Sequence, residues 1–173
     1  MNIRKTTEKD IQPVMQIFAK AREIMRKSGN YKQWPVGYPS EKAVIDDIKN
    51  NNSYVVENEN SNIVATFAFI IGPDPTYSYI EGGKWLNDEE YGTIHRIASN
   101  GECKGIMSKV LDYCSKFVPN IRIDTHEDNS IMRHLLARNG FEHCGIIYLL
   151  DGNPRLAFQK IIENKGNTNV FHG

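Results

Sequence analysis

The chain has 173 residues, enough to bury roughly 70% of the surface that an unfolded chain of this size exposes, so one compact core is expected and two full domains are not. Hydrophobic residues make up 40% and charged residues 24%, and no apolar run approaches the roughly 20 residues of a membrane-spanning helix. Lys and Arg total 21, as do Asp and Glu, which removes the broad electrostatic pull toward nucleic acid or an anionic membrane, and neither is an expected partner.

Met1-Asn2-Ile3-Arg4-Lys5 offers no apolar signal core, so a cytoplasmic location is expected. Cys103, Cys114 and Cys144 contain no C-x-x-C pair and are odd in number, which points to free thiols. The histidines show no metal-ligand spacing, and no metal is expected.

In chain order, Asn2 to Lys5 suits a short strand, and Thr7 with Asp10 resembles a capping box opening an amphipathic helix. Ile11, Val14, Met15, Phe18, Ala21, Ile24 and Met25 recur at helical spacing as a core-facing stripe, and Gly29 stops the run. After an irregular aromatic connection from Trp34 to Pro39, Ser40 caps a second helix carrying Ala43, Val44, Ile45 and Ile48. Ser53 to Glu57 and Ile63 to Ile71 read as a hairpin. Asp74 to Glu90 has no clear period, and connections of this length are either functional loops or plain surface excursions.

Tyr91 to Ser99 reads as a strand, and Gly105 opens a helix with Ile106, Val110, Cys114 and Phe117 on one face. Ile121 to Thr125 follows as a strand and Asn129 to Asn139 as a helix closed by Gly140. Phe141 to Leu150 and Arg155 to Ile162 form a hairpin about Asp151-Gly152. The expected organisation is one domain over residues 1–163 and a polar tail over 164–173. Its class is α+β, a mixed α/β arrangement with helices crossing over one sheet.

The turn Asn100-Gly101-Glu102-Cys103-Lys104 joins a strand to a helix, placing free backbone N–H groups and the positive end of a helix dipole at one spot. Such a terminus suits phosphate, although a glycine there is equally the mark of plain turn geometry. Around it stand Ile94-His95-Arg96-Ile97-Ala98-Ser99, then Lys104-Gly105-Ile106-Met107-Ser108-Lys109-Val110-Leu111, then Asn129 and Asn139-Gly140-Phe141. This set resembles the GCN5-related N-acetyltransferase (GNAT) superfamily over about residues 1 to 162. The resemblance implies the GNAT acyl-CoA N-acyltransferase fold, a central, mostly antiparallel mixed sheet of about seven strands with about four helices.

It also implies acetyl-CoA as cofactor. The pantetheine arm would pair with Ile97, Ala98 and Ser99. The pyrophosphate would sit on Glu102, Cys103, Lys104, Gly105, Ile106, Met107 and Ser108, with Asn129 and Met132 on the next helix facing the same cofactor. The family turn reads Arg or Gln, two residues, Gly, one residue, then Gly or Ala; here Glu102 stands first and Met107 last. Many members carry a Tyr seven residues after the Asn, placed to protonate the departing thiolate, and here that position is Leu136. A thiol with a reference pKa near 8.5 still leaves tolerably as thiolate, so the loss slows such a reaction by up to about 10² to 10⁴ without abolishing it.

The implied reaction is direct attack of a primary amine on the thioester carbon in a ternary complex, with a small molecule or a peptide supplying the amine. An alkylammonium must first lose a proton, a burden of about 4 to 5 kcal/mol at pH 7, so a general base is wanted. His95, two residues before Ile97 and therefore on the same side of a regular strand, is one candidate; His126 and Glu81 are others. Trp34, Tyr38, Tyr77, Tyr79 and Trp85 fall in segments that line the acceptor side in this superfamily, where they shape a pocket or simply pack over the core. A Cys103 acyl intermediate is a minor alternative. The competing readings are a GNAT-like domain that binds acyl-CoA as a sensor, motivated by Glu102, Met107 and Leu136, and an α+β interaction module. A paired final strand would support a homodimer.

Overall fold

A computed structural model describes residues 1–163; the tail expected over 164–173 lies outside the described residues. The strands are β1 (Asn2–Lys5), β2 (Ser53–Glu57), β3 (Ile63–Ile71), β4 (Gly92–Ser99), β5 (Asn120–Thr125), β6 (Glu142–Tyr148) and β7 (Pro154–Ile161). The helices are α1 (Ile11–Lys27), α2 (Glu41–Lys49), α3 (Ile106–Cys114) and α4 (Ser130–Arg138). The strands form one sheet in the order β1-β2-β3-β4-β5-β7-β6, antiparallel throughout except for the β4–β5 pair.

Local chemistry sets the element ends. The Asp10 carboxylate accepts from the Thr7 backbone N–H at 2.7 Å, so the entry to α1 is capped through a short 3-10 turn at Glu8–Asp10. Ser40 Oγ accepts from the Ala43 N–H at 3.2 Å and starts α2. Asn129 Oδ1 does the same for Met132 at 3.0 Å and starts α4. α3 stops at Cys114, a turn before Phe117, which is exposed and does not join the helix's apolar face as expected.

Side-chain alternation sorts the core. Tyr54, Val56, Phe67, Ile94, Ile121 and Ile123 pack against α3 and α4 on one face, while Val55 and Ala98 meet Val14, Phe18 and Val44 of α1 and α2 on the other. That second face also carries Arg122 and Asp124, which alternate with Ile121 and Ile123 and are covered by the 72–91 connection. Arg122 lies 4.1 Å from the ring centre of Trp85 and 3.9 Å from that of Tyr91.

The feature that creates a site is the failure of β4 and β5 to stay together. They pair only at Gly92↔Ile121 and Thr93↔Arg122 and then diverge, leaving the β5-facing edge of β4 without a strand partner from Ile94 to Ser99. The β3–β4 register shifts between Thr66 and Ala68, and Arg96 on β4 has φ of 49°, a bulge in the strand. Ile94 and Ile97 therefore share the α3 side while Ala98 lies on the α1 side. The bulge corrects the expectation that His95 and Ile97 lie on one side: the extra residue flips the phase of alternation between them.

Candidate active site

A cavity of about 830 Å³ runs through the gap between β4 and β5. Its wall includes all six residues from Ile94 to Ser99 on β4, Ile123 to Thr125 on β5, and Asn129, Met132 and Leu135 near α4. Ala21, Ile24 and Met25 close it from α1, so the end of the stripe expected to be pure core is also cavity wall. Trp34 and Tyr38 also line it, with Trp34 held edge-on by Phe18 at 5.6 Å. Gln33 fastens this connection to α4: its Oε1 accepts from Asn129 Nδ2 at 2.9 Å and from Asn30 Nδ2 at 3.1 Å.

At the α3 end, Ser99, Gly101, Ile106 and Met107 reach the cavity. Two turn N–H groups are satisfied internally, Gly101 by Ser99 Oγ and Glu102 by Asn100 Oδ1, both at 3.0 Å. The N–H groups of Cys103 to Ser108 donate to no group among the described residues. Gly105 caps α3 with φ of 76°, and a Cβ there would meet nothing within 4 Å, so the space over the helix terminus is open. Glu102 and Lys104 are exposed, Cys103 is half-buried against the core, and Met107 is buried in the core while lining the cavity. These features fit a pyrophosphate cradle built from backbone N–H groups, and the open β4 edge fits an amide-bearing arm.

At the opposite end His95 Nε2 lies 3.1 Å from Asp74 Oδ2. Asp74 also accepts from the Thr76 N–H at 2.9 Å and the Thr76 hydroxyl at 2.7 Å. Burial pushes the Asp74 carboxyl up, but the His95 and Thr76 hydrogen bonds outweigh it and hold the group at about 2. The Asp124 carboxylate accepts from the Tyr77 hydroxyl at 2.7 Å, and burial dominates there, raising its pKa above the usual carboxylate range. Asp74, Thr76, His95, Asp124 and Arg155 share this wall.

The structure does not bring the other expected residues to the cavity. His126 is buried after β5, its Nδ1 accepts from the Asp128 N–H at 3.0 Å, and burial lowers its pKa. Glu81 is tied by its backbone to Ile146 at 2.8 and 2.9 Å, and its carboxylate accepts from the exposed Tyr148 hydroxyl. Tyr77 is buried as a support for Asp124, Trp85 donates to the Tyr77 carbonyl at 2.9 Å, and Tyr79 is exposed beside Tyr148. The sequence reading missed Asp74, Asp124 and Arg155. The Arg122–Asp124 alternation between isoleucines was the signal for Asp124. Nothing local marked Asp74.

No family model and no curated protein sequence matches the chain. Among solved structures, an acetyltransferase of the GNAT family from Streptococcus agalactiae 2603 is 34% identical, with 94% of this chain and 95% of that one aligned at a TM-score of 0.83. The chain belongs to the GNAT family of acetyltransferases. A GNAT-family acetyltransferase from Listeria monocytogenes 4b F2365 aligns over 92% of this chain and 93% of its own at 18% identity and a TM-score of 0.67. The ribosomal-protein-alanine N-acetyltransferase of Brucella melitensis aligns over 94% and 100% at 17% identity and a TM-score of 0.60. These two share the GNAT fold. No helix among the described residues is long and apolar enough to cross a membrane, and no cluster there could hold a metal ion.

Proposed function

We propose that this GNAT protein is an acetyl-CoA-dependent N-acetyltransferase acting on a primary amine in a ternary complex. The observation that carries the reading is the single cavity through the β4–β5 gap, with unpartnered N–H groups of the α3 turn at one end and the His95–Asp74 pair at the other. Bound acetyl-CoA would supply an acetyl group activated as a thioester.

The chain's own residues do the rest. The open edge of β4 at Ile97, Ala98 and Ser99 would orient the pantetheine arm, and the N–H groups from Cys103 to Ser108 would hold the pyrophosphate, with Lys104 offsetting the Glu102 charge. Asn129 and Met132 form the α4 wall of the same channel. His95 takes the proton from the incoming ammonium, directly or through a water, while Asp74 fixes the orientation of its ring. Asp124 attracts the ammonium to the same wall. Leu136 has no acidic side-chain proton, so this position of α4 gives none to the leaving thiol, which departs as thiolate.

The lack of a donor at Leu136 also favours a second reading, a domain that binds acyl-CoA without turning it over. Thiol release measured across a panel of primary amines separates the two. Amine-dependent release that falls about 10² in His95→Gln supports the enzyme. Tight acetyl-CoA binding with no release above hydrolysis supports the sensor.

A further inference from the structure

We propose that the acceptor carries a carboxylate beside its amine and that Arg155 captures it, so that free α-amino acids are preferred over bare alkylamines and peptide N-termini. The inference rests on the N-acetyltransferase reading of the same cavity. Arg155 is the second residue of β7 and, like Ala157, points to the sheet face that carries Asp124. Ala157 is the cross-strand partner of Asp124, which makes Arg155 its diagonal neighbour, about 7 to 8 Å away between backbones. Arg155 is 9% exposed and lines the cavity.

Its partners are what single it out. Arg4 is committed to Asp10 and Glu57, Arg96 to Asp47, and Arg122 to the Asn87 carbonyl between two aromatic rings, while half-buried Arg22 donates to the Tyr38 carbonyl and Arg26, whose Nε has no partner among the described residues, does not line the cavity. Among the described residues Arg155 donates only to the carbonyl of its neighbour Pro154, at 2.8 Å, and no carboxylate oxygen lies within 4.0 Å of it. A buried guanidinium on a cavity wall with no carboxylate bonded to it suits an anionic ligand, because planar two-pronged donation matches a carboxylate.

The remaining charges at this end are accounted for. Asp74 is held by His95 and Thr76, Asp124 by Tyr77, and Asp151 by the backbone and side-chain nitrogens of Asn153, both at 2.9 Å. Lys32 is exposed at the rim. The result is a polarised pocket, with carboxylates and His95 on one wall and Arg155 beside them. An ammonium and a carboxylate one carbon apart satisfy both. A peptide N-terminus or an amino acid amide would set a neutral carbonyl against the guanidinium and leave its charge unpaired.

The test measures initial rates of CoA release with the twenty free amino acids, with the α-carboxamides of leucine, methionine and phenylalanine, and with isopentylamine. It uses the intact protein and the variants Arg155→Gln and Arg155→Lys, and titrates acetyl-CoA calorimetrically in each. The proposal expects at least one amino acid to exceed its carboxamide by about 10-fold or more in kcat/KM. Arg155→Gln should remove about 10- to 10²-fold for the amino acid only, and Arg155→Lys should recover part of it. Equal rates for acid and carboxamide, an equal fall on both in Arg155→Gln, or acetyl-CoA binding with no amino acid served would each overturn it. Should Arg155→Gln fail to fold, the acid-to-carboxamide ratio of the intact protein decides alone. Absence of acetyl-CoA binding to the intact protein would instead overturn the acetyltransferase reading beneath it.

Discussion

Asp47 of α2 accepts two hydrogen bonds from the Arg96 guanidinium, at 2.8 and 3.0 Å, and so ties a helix to the residue of β4 whose backbone is left-handed. A non-glycine residue at φ of 49° is held there by its surroundings, and this ion pair, with both side chains mostly buried, is the visible restraint. The bulge that results turns the edge of β4 outward after Thr93 and aims His95 at Asp74.

Asp47→Ala should therefore act on both stability and the site. Leaving Arg96 without its carboxylate should cost about 1 to 3 kcal/mol in urea unfolding. Acetyl-CoA affinity should weaken with it. A double variant that also replaces Arg96 with Gly should regain part of the stability, because glycine adopts this backbone conformation without strain. No stability change in Asp47→Ala would mean that the pair does not hold the bulge.

Asp74→Asn keeps an acceptor for the Thr76 N–H but removes the charge beside His95. We expect kcat for the best amine to fall by about 10-fold or more, with KM for that amine nearly unchanged and the melting temperature within a few degrees. A loss confined to KM would make Asp74 a binding group instead.

Acid stability should be set largely by Asp10 and Asp74, each held at about 2 against an ordinary value of 3.8. For Asp10 the Arg4 hydrogen bonds are the main cause, with burial opposing them. A depressed carboxyl stabilises the fold fully above its unfolded value, and that stability drains away as pH falls from about 4 toward 2. With each unit worth about 1.4 kcal/mol, Asp10→Asn should cost about 2 kcal/mol at pH 7 and much less at pH 2. Equal cost at both pH values would contradict the linkage.

Gly92 begins the short β4–β5 pairing, and a Cβ there would stand 2.3 Å from the buried Phe69 ring and 3.0 Å from Val118. Gly92→Ala should destabilise by about 1 to 3 kcal/mol through overpacking. It should also raise the Kd for acetyl-CoA, because the Phe69 ring and Val118 must shift beside the point where β4 and β5 part. Cys103→Ala, by contrast, should keep full activity, as its half-buried thiol packs against the core and no acyl-cysteine step is needed.

Much of the fold was legible because its elements are local. The strand runs Ser53–Glu57 and Ile63–Ile71 on either side of the polar Asn58–Asn62 link, the Ser40 cap and the Asp-Gly turn at Asp151 each act within a few residues, and each element formed where its pattern stood. The Arg96 bulge was not legible, since its cause is a partner 49 residues away. The His95 end of the cavity was not legible for the same reason. Asp74 meets His95 across 21 residues and Tyr77 meets Asp124 across 47, so tertiary pairing selects which carboxylates reach the cavity. Histidines and aromatics looked equally eligible by residue type, yet His126 and Tyr79 ended outside the cavity because strand ends and loop packing carried them elsewhere.

The most direct test is calorimetric titration of the intact protein with acetyl-CoA and with CoA, alongside Gly105→Glu, whose carboxylate would occupy the open space over the α3 terminus. Micromolar binding of both ligands, lost in the variant while the thermal unfolding profile stays cooperative, is the expected result. No binding to the intact protein, or equal binding to the variant, would contradict a cofactor cradle at this turn and the acetyltransferase assignment built on it.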